Sequence, residues 1–142
     1  MISVAGILKT KVTDVFSVTS NTTVYDAIKL MSEKNIGALP VLDHNQLSGI
    51  FSERDYARKI ILQNRTSQDT LISEIMTATV ITITPQDSIE HCMEIMSSKK
   101  IRHLPVMENN QLVGIISIGD VVTAIIQTQK ETINYLQSYI AQ

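Results

Sequence analysis

Two stretches of the chain carry an apolar residue at every third or fourth position, which is the spacing of an amphipathic helix. The first stretch follows Thr22-Thr23 and the second follows Asp87-Ser88, and such short oxygen-bearing side chains accept hydrogen bonds from the free amides of a helix start. The pattern therefore predicts two helices that face a core. Their apolar positions are Val24, Ala27, Ile28 and Met31 in the first and Ile89, Cys92, Met93 and Met96 in the second.

Short β-type segments surround each predicted helix. Phe16–Val18 and Val80–Ile83 precede the two helices, and each helix is followed by a pair of strands. The first pair is predicted around Leu39–Leu42 and Leu47–Phe51, joined by the polar turn 43–46. A second helix is predicted to begin at Ser52 and, in the later stretch, at Ser117.

The chain is written twice. When the sequence is shifted by 65 positions, Leu39-Pro40-Val41 lies over Leu104-Pro105-Val106, and Gly49-Ile50 lies over Gly114-Ile115. Ser52 and Asp55 lie over Ser117 and Asp120 in the same register. Such internal similarity indicates a repeated supersecondary unit. The predicted fold is α+β (α/β), with two copies of one β-α-β-β-α unit.

After the second copy, the final helix is predicted to continue towards Ile140, with or without a break. Its apolar residues exceed what a core of this size must cover, and an uncovered apolar face is typical of a contact with another protein chain. A dimer contact is therefore predicted here. The residues concerned are Ile125, Ile126, Ile133, Leu136 and Ile140.

Composition excludes several classes of protein. The net charge of −2 gives no basic surface for nucleic acid. A single cysteine, Cys92, cannot form an internal disulfide, which together with the absence of a secretory leader favours the reducing cytoplasm. No uncharged apolar run approaches the ~20 residues of a membrane helix. We therefore expect a cytoplasmic protein that binds neither nucleic acid nor membrane.

The sequence lacks the usual marks of an enzyme. His44, His91 and His103 show no i, i+4 pairing and no cysteine partner, so no zinc site is predicted. Cys92 occupies the position of Ala27 in the other copy and is expected to be a small core residue. There is no glycine-rich phosphate loop, and only five glycines in all. We expect no catalytic residues, no metal and no enzymatic activity.

The repeated Ser-x-x-Asp segment, Ser52 to Asp55 and Ser117 to Asp120, has two interpretations. It can be a capping box, in which the serine oxygen and the carboxylate satisfy free amides at the helix start. Alternatively it can be a ligand site, because a helix start attracts phosphate and an acidic residue accepts the hydroxyls of a ribose. Cationic Arg102 and His103 precede the second Leu-Pro-Val strand, whereas Gly37 and Ala38 stand in the first copy. The two copies share their scaffold residues but differ in charge at these positions. This difference favours the interpretation as a ligand site.

The paired Leu-Pro-Val strands and the paired Gly-Ile-x-Ser-x-x-Asp motifs resemble a tandem of cystathionine-β-synthase (CBS) domains, also called a Bateman module. The resemblance covers roughly residues 5–128. The segments 49–59, 101–106 and 117–122 are similar to stand-alone two-CBS proteins of bacteria and plant organelles, often labelled signal-transduction proteins. The resemblance implies that the two CBS domains pack with pseudo-twofold symmetry. It also implies the division of the chain into CBS domain 1 at 5–62, a linker at 63–70, CBS domain 2 at 71–128, and a helical extension at 129–142.

The resemblance also implies two ligand clefts, each combining residues of both copies. Aspartates would bind ribose, and serines, arginines and His103 would meet phosphate. The first cleft has more cationic groups and is expected to hold the tighter or longer ligand. In the second, Gly119 departs from the usual pattern. The first set is Ile50, Ser52, Arg54 and Asp55 with Thr77, Val80, Ile101, Arg102 and His103; the second is Ile115, Ser117 and Asp120 with Lys11, Ile36, Gly37 and Ala38.

The ligand implied is an adenine nucleotide acting as a regulator rather than a catalytic cofactor. AMP and NAD are the ligands expected first, and ATP, ADP and S-adenosylmethionine are the other ligands of the family. A module with nothing fused to it would signal by changing its conformation or its homodimer, and a regulated enzyme or transporter is the implied partner. The alternative is a structural dimer with empty clefts that acts on a partner through its C-terminal helix. His103 keeps a second interpretation as a satisfied interface histidine.

Overall fold

The computed structural model describes residues 2–11 and 14–141 of the 142-residue chain. Among the described residues, helices and two small sheets, each of two strands, form the α+β fold that the sequence predicts. In chain order the elements are α1 (Val4–Thr10), α2 (Val24–Lys34), β1 (Ala38–Asp43), β2 (Gln46–Ser52), α3 (Glu53–Tyr56) followed by a π-helical segment (Ala57–Ile61), α4 (Ile72–Ile75), α5 (Ile89–Lys99), β3 (His103–Glu108), β4 (Gln111–Ser117) and α6 (Ile118–Ala141).

The described residues divide into two compact units. The copy-one unit contains residues 14–81 and 109–113, and the copy-two unit contains 2–11, 82–108 and 114–141. These units do not follow the repeat boundaries in the sequence. The segment before α2, residues 2–11, belongs with the second copy, and residues 71–81 belong with the first.

In the copy-one unit the local signals act where the sequence places them. The Thr23 hydroxyl caps α2, and Asn35 ends the helix in the left-handed conformation at φ 55°. β1 and β2 pair antiparallel, and the turn between them has positive φ at His44 and Asn45, as a tight hairpin requires. The predicted opening strand is reduced to one parallel bridge, Val18 to Val41.

The core of the copy-one unit is almost entirely aliphatic. It joins the stripe of α2 to the inner faces of β1 and β2, to one side chain of the π-helical segment and to both ends of α4. Ile28, on the same stripe, is only partly buried against this core. The buried residues of this core are Val18, Val24, Ala27, Met31, Leu39, Val41, Phe51, Ile60, Ile72 and Ile75.

The second copy of the repeat has the same local signals. Ser88 caps α5, Lys100 ends it at φ 55°, and the β3–β4 turn has positive φ at Asn109 and Asn110. Ile83 forms a parallel bridge to Val106, which is equivalent to the bridge between Val18 and Val41 in the first copy. One predicted stripe residue differs, because Met93 is 37% exposed whereas Ile89, Cys92 and Met96 are buried.

Neither α1 nor α4 is predicted from the sequence, and the structure places them equivalently. In the copy-two unit the Val4 amide donates to the Asp87 carbonyl (2.8 Å), and in the copy-one unit the Ile72 amide donates to the Thr22 carbonyl (2.8 Å). The Ile89 and Val24 amides likewise donate to the carbonyls of Ile2 and Thr70. Each copy therefore caps its first long helix with a segment that precedes the other copy in the chain.

The two units end differently. In copy one, α3 gives way to the π-helical segment, which stops at Ile61. In copy two, α6 runs unbroken for 24 residues and packs on α5 and α1. The predicted extension is thus the continuation of α6; its last residue, Gln142, lies outside the described part of the chain. Within that part, no helix is both long and apolar enough to cross a membrane.

Candidate functional site

The copy-one helix start lies where β2 ends and α3 begins. The Ser52 hydroxyl accepts from the Asp55 amide (3.3 Å), and the Asp55 carboxylate accepts from the Ser52 amide through Oδ2 (3.0 Å). The Ser52 hydroxyl also donates to the same Oδ2 (3.2 Å). The capping-box interpretation of Ser-x-x-Asp is therefore confirmed in copy one.

The second oxygen of Asp55 faces cationic and hydroxyl groups. Lys59, one helical turn later, lies 3.3 Å from Oδ1, and the Thr77 hydroxyl donates to it at 3.5 Å. Lys59 also donates to the carbonyl of Ile75 (2.9 Å). The Asp55 side chain is 13% exposed, so the carboxylate is held firmly yet reachable.

Ile50 brings Thr77 to this helix start. The two residues exchange backbone hydrogen bonds in both directions, at 3.0 and 2.9 Å. The structure thus assembles Ile50, Ser52, Asp55 and Thr77, four members of the first predicted set. Val80 lies half-buried in the same unit, and Arg54 is exposed in the first turn of α3.

The copy-two helix start repeats the arrangement with a different lysine. Asp120 Oδ2 accepts from the Ser117 amide (2.8 Å), and the Asp120 amide donates to the Ser117 hydroxyl (3.1 Å). Lys11, from the segment that follows α1, lies 2.9 Å from the same Oδ2 and donates to the Ile115 carbonyl at 2.8 Å. Four members of the second predicted set, Lys11, Ile115, Ser117 and Asp120, therefore meet.

Asp120 is poised as an anion. Burial opposes its charge, but hydrogen bonds from Ser117 and the ion pair with Lys11 outweigh that effect, so the pKa of Asp120 lies below its ordinary value. Its side chain is 23% exposed. An ionised, partly exposed carboxylate is the group that accepts hydrogen bonds from a sugar diol.

The residues before each Leu-Pro-Val strand lie against the helix start of their own copy. The Glu53 amide donates to the Gly37 carbonyl (3.1 Å), and the Ile118 amide donates to the Arg102 carbonyl (2.8 Å). Ile36, Gly37, Ile101 and His103 are half-buried, Ala38 is buried and Arg102 is exposed. The predicted sets place these residues opposite the other copy's aspartate; because that grouping spans both units, it stays a prediction.

His103 adds a titratable group beside Asp120. Burial lowers the pKa of His103, and the neighbouring Asp120 charge partly offsets this while Lys11 and Arg102 reinforce it. A histidine whose pKa is below its ordinary value is mainly neutral near pH 7. It can then offer one nitrogen as donor and the other as acceptor, rather than a fixed positive charge.

Sequence reasoning missed both ion pairs. Lys59 was not among the predicted site residues, although its spacing of four from Asp55 on a predicted helix is the usual signal of such a pair. Lys11 was predicted, but its bond to Asp120 joins residues far apart in the chain. No local pattern could have indicated that contact.

Other reactive groups lie outside these helix starts. Cys92 is buried, and burial raises the pKa of its thiol to about 11, as expected of a core residue. Among residues 2–11 and 14–141, no three histidine, cysteine or acidic side chains cluster as a metal site would. A shallow, open groove of about 720 Å³ runs along residues 91–98 of α5 and contains neither aspartate.

Comparisons with known proteins agree with this architecture. The CBS domain family matches residues 6–62 and 72–127. A mitochondrial CBS domain-containing protein of Arabidopsis thaliana, CBSX3, is 42% identical over 127 residues, which cover 86% of this chain. The chain spans 62% of the length of that relative.

Two solved structures share the fold closely. A signal-transduction protein with CBS domains from Burkholderia ambifaria is 50% identical with a TM-score of 0.86, over 89% of this chain and 96% of its own. The CBS domain pair of protein MJ0100, in complex with 5′-methylthioadenosine and S-adenosyl-L-methionine, is 29% identical with a TM-score of 0.76. The match covers 86% of this chain and 96% of that one.

Proposed function

Because the chain belongs to the CBS-domain family and carries two copies of the domain, we propose that it is a regulatory module that binds an adenine nucleotide. AMP and NAD are the ligands proposed first, with ATP, ADP and S-adenosylmethionine as alternatives. The observation that carries this proposal is the duplicated helix start, where Asp55 and Asp120 are each fixed by a serine and left partly exposed. Binding without catalysis is the activity proposed.

Each aspartate is proposed to hold the ribose of one nucleotide. The amide of Ser52 or Ser117 fixes one carboxylate oxygen, so the carboxylate enters binding already oriented. Little conformational entropy is then lost when two sugar hydroxyls donate to it. Ser52, Ser117, Arg54, Arg102 and His103 are the residues proposed for phosphate.

Lys59 and Lys11 make the site selective for nucleotides over nucleosides. Each lysine already neutralises its aspartate and bonds a backbone carbonyl as well. A ribose diol must compete with that ammonium for the carboxylate, which weakens the binding of an uncharged nucleoside. A phosphate offers the displaced lysine a second anion, so the lost ion pair is replaced.

The adenine class is proposed from chemistry and from a relative. The aliphatic Ile50 and Ile115 flank the two helix starts, and apolar walls with a few polar anchors suit a planar base. The MJ0100 domain pair holds two ligands that both contain adenosine. Those ligands differ beyond the sugar, which is why the adenosyl portion is proposed as the shared determinant.

Regulation would follow from a difference in affinity between conformations. A ligand shifts an equilibrium only by the amount that it prefers one state to the other. For this chain the states proposed are two conformations of a homodimer, and a regulated enzyme or transporter would respond to them.

A second candidate function is favoured by the exposed apolar face of α6. In that account the ligand sites stay empty and the chain acts on a partner protein through its C-terminal helix. It predicts that no nucleotide changes the stability of the protein, and that variants of Asp55 and Asp120 bind the partner as wild type does.

A melting-temperature panel separates the two candidates. AMP, ADP, ATP, NAD, S-adenosylmethionine and adenosine are compared with GMP, which tests the base. A ligand at 100 times its dissociation constant adds about 2.7 kcal/mol, which raises the melting temperature of a domain this size by several degrees. We expect a rise with AMP or NAD, a smaller one with adenosine and none with GMP. Unchanged melting across the panel would reject nucleotide binding.

A further inference from the structure

Helix α6 presents to solvent an apolar stripe that one polar residue, Gln129, interrupts. Val122, Ile126, Ile133, Leu136 and Ile140 are 43, 47, 53, 50 and 81% exposed, and Val121 is the one buried residue assigned to this helix. With Gln129 they stand at positions 122, 126, 129, 133, 136 and 140. The spacing alternates between four and three residues, which is the heptad repeat of a coiled coil. We call these six residues the α6 seam.

We propose that the α6 seam pairs with the α6 seam of a second copy of this chain in a parallel, two-stranded coiled coil. The proposal goes beyond nucleotide binding and does not depend on it. Four of the six seam residues lie past residue 127, where the match to the CBS domain family stops.

The composition of the helix identifies the partner. Between Val121 and Ala141 the sequence contains two charged residues, the adjacent and opposite Lys130 and Glu131. A nearly uncharged apolar stripe offers nothing to a nucleic acid, an anionic lipid or a charged peptide. It matches a second stripe with the same period and the same lack of charge, which another copy supplies.

The seam residues also favour a parallel pair. Numbered as a heptad, Ile126, Ile133 and Ile140 occupy position a, and Val122, Gln129 and Leu136 occupy position d. Isoleucine at a with leucine at d is the pattern of parallel two-stranded coils, and the seam has isoleucine at its three a positions and leucine at one d position. In a parallel pair Gln129 meets Gln129 of the partner copy, and two amides satisfy each other. In a fully overlapped antiparallel pair it would face isoleucine.

The second half of α6 needs such a partner. An isolated helix shorter than about 12–15 residues is marginal in water. This half is also rich in residues of modest helix propensity, including Thr132, Ile133, Asn134 and Tyr135. Burial of the seam between two helices supplies the stabilisation that propensity alone does not.

Cysteine cross-linking of the full chain tests both partner and orientation. In the parallel coil Leu136 lies opposite Leu136 of the second copy, within reach of a disulfide. We expect Leu136→Cys to form a covalent dimer when oxidised glutathione accepts the two electrons. Ser138→Cys, on the outer face two residues away, is the matched control and should stay largely monomeric on a non-reducing gel. The native Cys92 is buried, and wild type measures its contribution.

Sedimentation of charge variants completes the test. Ile133→Glu with Leu136→Glu is expected to weaken self-association at least tenfold, whereas Asn134→Glu with Ser138→Glu adds the same charges off the seam and leaves it unchanged. Melting curves confirm that both variants fold. Equal cross-linking at 136 and 138, no cross-link at 136, or unchanged association of the seam variant would overturn the proposal. A nucleotide panel without response would leave these outcomes as they are.

Discussion

At the residue scale, Asp55 and Asp120 each have two roles, helix capping and proposed ligand binding. As capping residues they satisfy the amides of Ser52 and Ser117, and as proposed ligand groups they must still accept from a sugar. The two roles are compatible because capping uses Oδ2 of each carboxylate, whereas a sugar hydroxyl can replace Lys59 or Thr77 at Oδ1 of Asp55. The capping box was one of the two interpretations of this sequence spacing, because its contacts are local. The ion pairs with Lys59 and Lys11 were not predicted from the sequence and are seen only in the structure.

Asp43 provides a residue-scale prediction about pH. Its carboxylate accepts from the Ser20 hydroxyl, the Ser48 hydroxyl (2.6 Å) and the Ser20 amide (2.9 Å). These hydrogen bonds, led by that of the Ser20 side chain, lower the pKa of Asp43 from 3.8 to about 2. The folded state therefore binds this proton less readily than the unfolded state. The contribution of Asp43 to stability is present above pH 4 and is lost as the pH falls towards 2.

Urea unfolding of Asp43→Asn checks this prediction between pH 3 and 6. The variant should be less stable than wild type at pH 6, and the difference should shrink below pH 4. Glu108→Gln is the control, because copy two has Pro85 and Val113 where copy one has Ser20 and Ser48. A difference that is constant with pH, or equal for both variants, would contradict the role given to the serines.

At the scale of elements, the hydrophobic period predicted α2, α5 and both hairpins close to their observed bounds. These bounds could be predicted because helix caps and asparagine turns are set by residues that are neighbours in the sequence. Helices α1 and α4 escaped prediction because each is short and is held by contacts with the other copy's sequence. Their position also explains why repeat boundaries and compact units differ.

The packing of these short segments predicts unequal costs for two equivalent glycine substitutions. A Cβ at Gly49 would lie 2.9 Å from the Thr77 carbonyl oxygen, which the Ile50 amide holds in place, and 2.6 Å from Met76 Sδ. A Cβ at Gly114 would meet the end of the Leu8 side chain, which can rotate away. Gly49→Ala should therefore cost about 1–3 kcal/mol, and Gly114→Ala clearly less. Urea unfolding that ranks the two in the opposite order would contradict this packing.

At the scale of the whole molecule, the duplication predicted the CBS family, and the comparisons confirm it. The copies share a scaffold but differ in their charges. Lys59 of copy one lies over Ala124, and Arg102 and His103 of copy two lie over Gly37 and Ala38. The repeat thus explains why there are two helix starts, and the differences predict that they bind ligands with unequal affinity.

Calorimetric titration of AMP into the 142-residue chain measures whether Asp55 and Asp120 bind a nucleotide. Asp55→Asn and Asp120→Asn each remove one charged acceptor, worth about 1.5–3 kcal/mol, so each should weaken its own site roughly 10- to 100-fold. The double variant should show both sites weakened by this factor, whereas Glu53→Gln, an equal charge loss beside Ser52, should bind as wild type does. Melting curves establish that every variant is folded. A folded double variant that binds AMP with wild-type affinity would contradict the account.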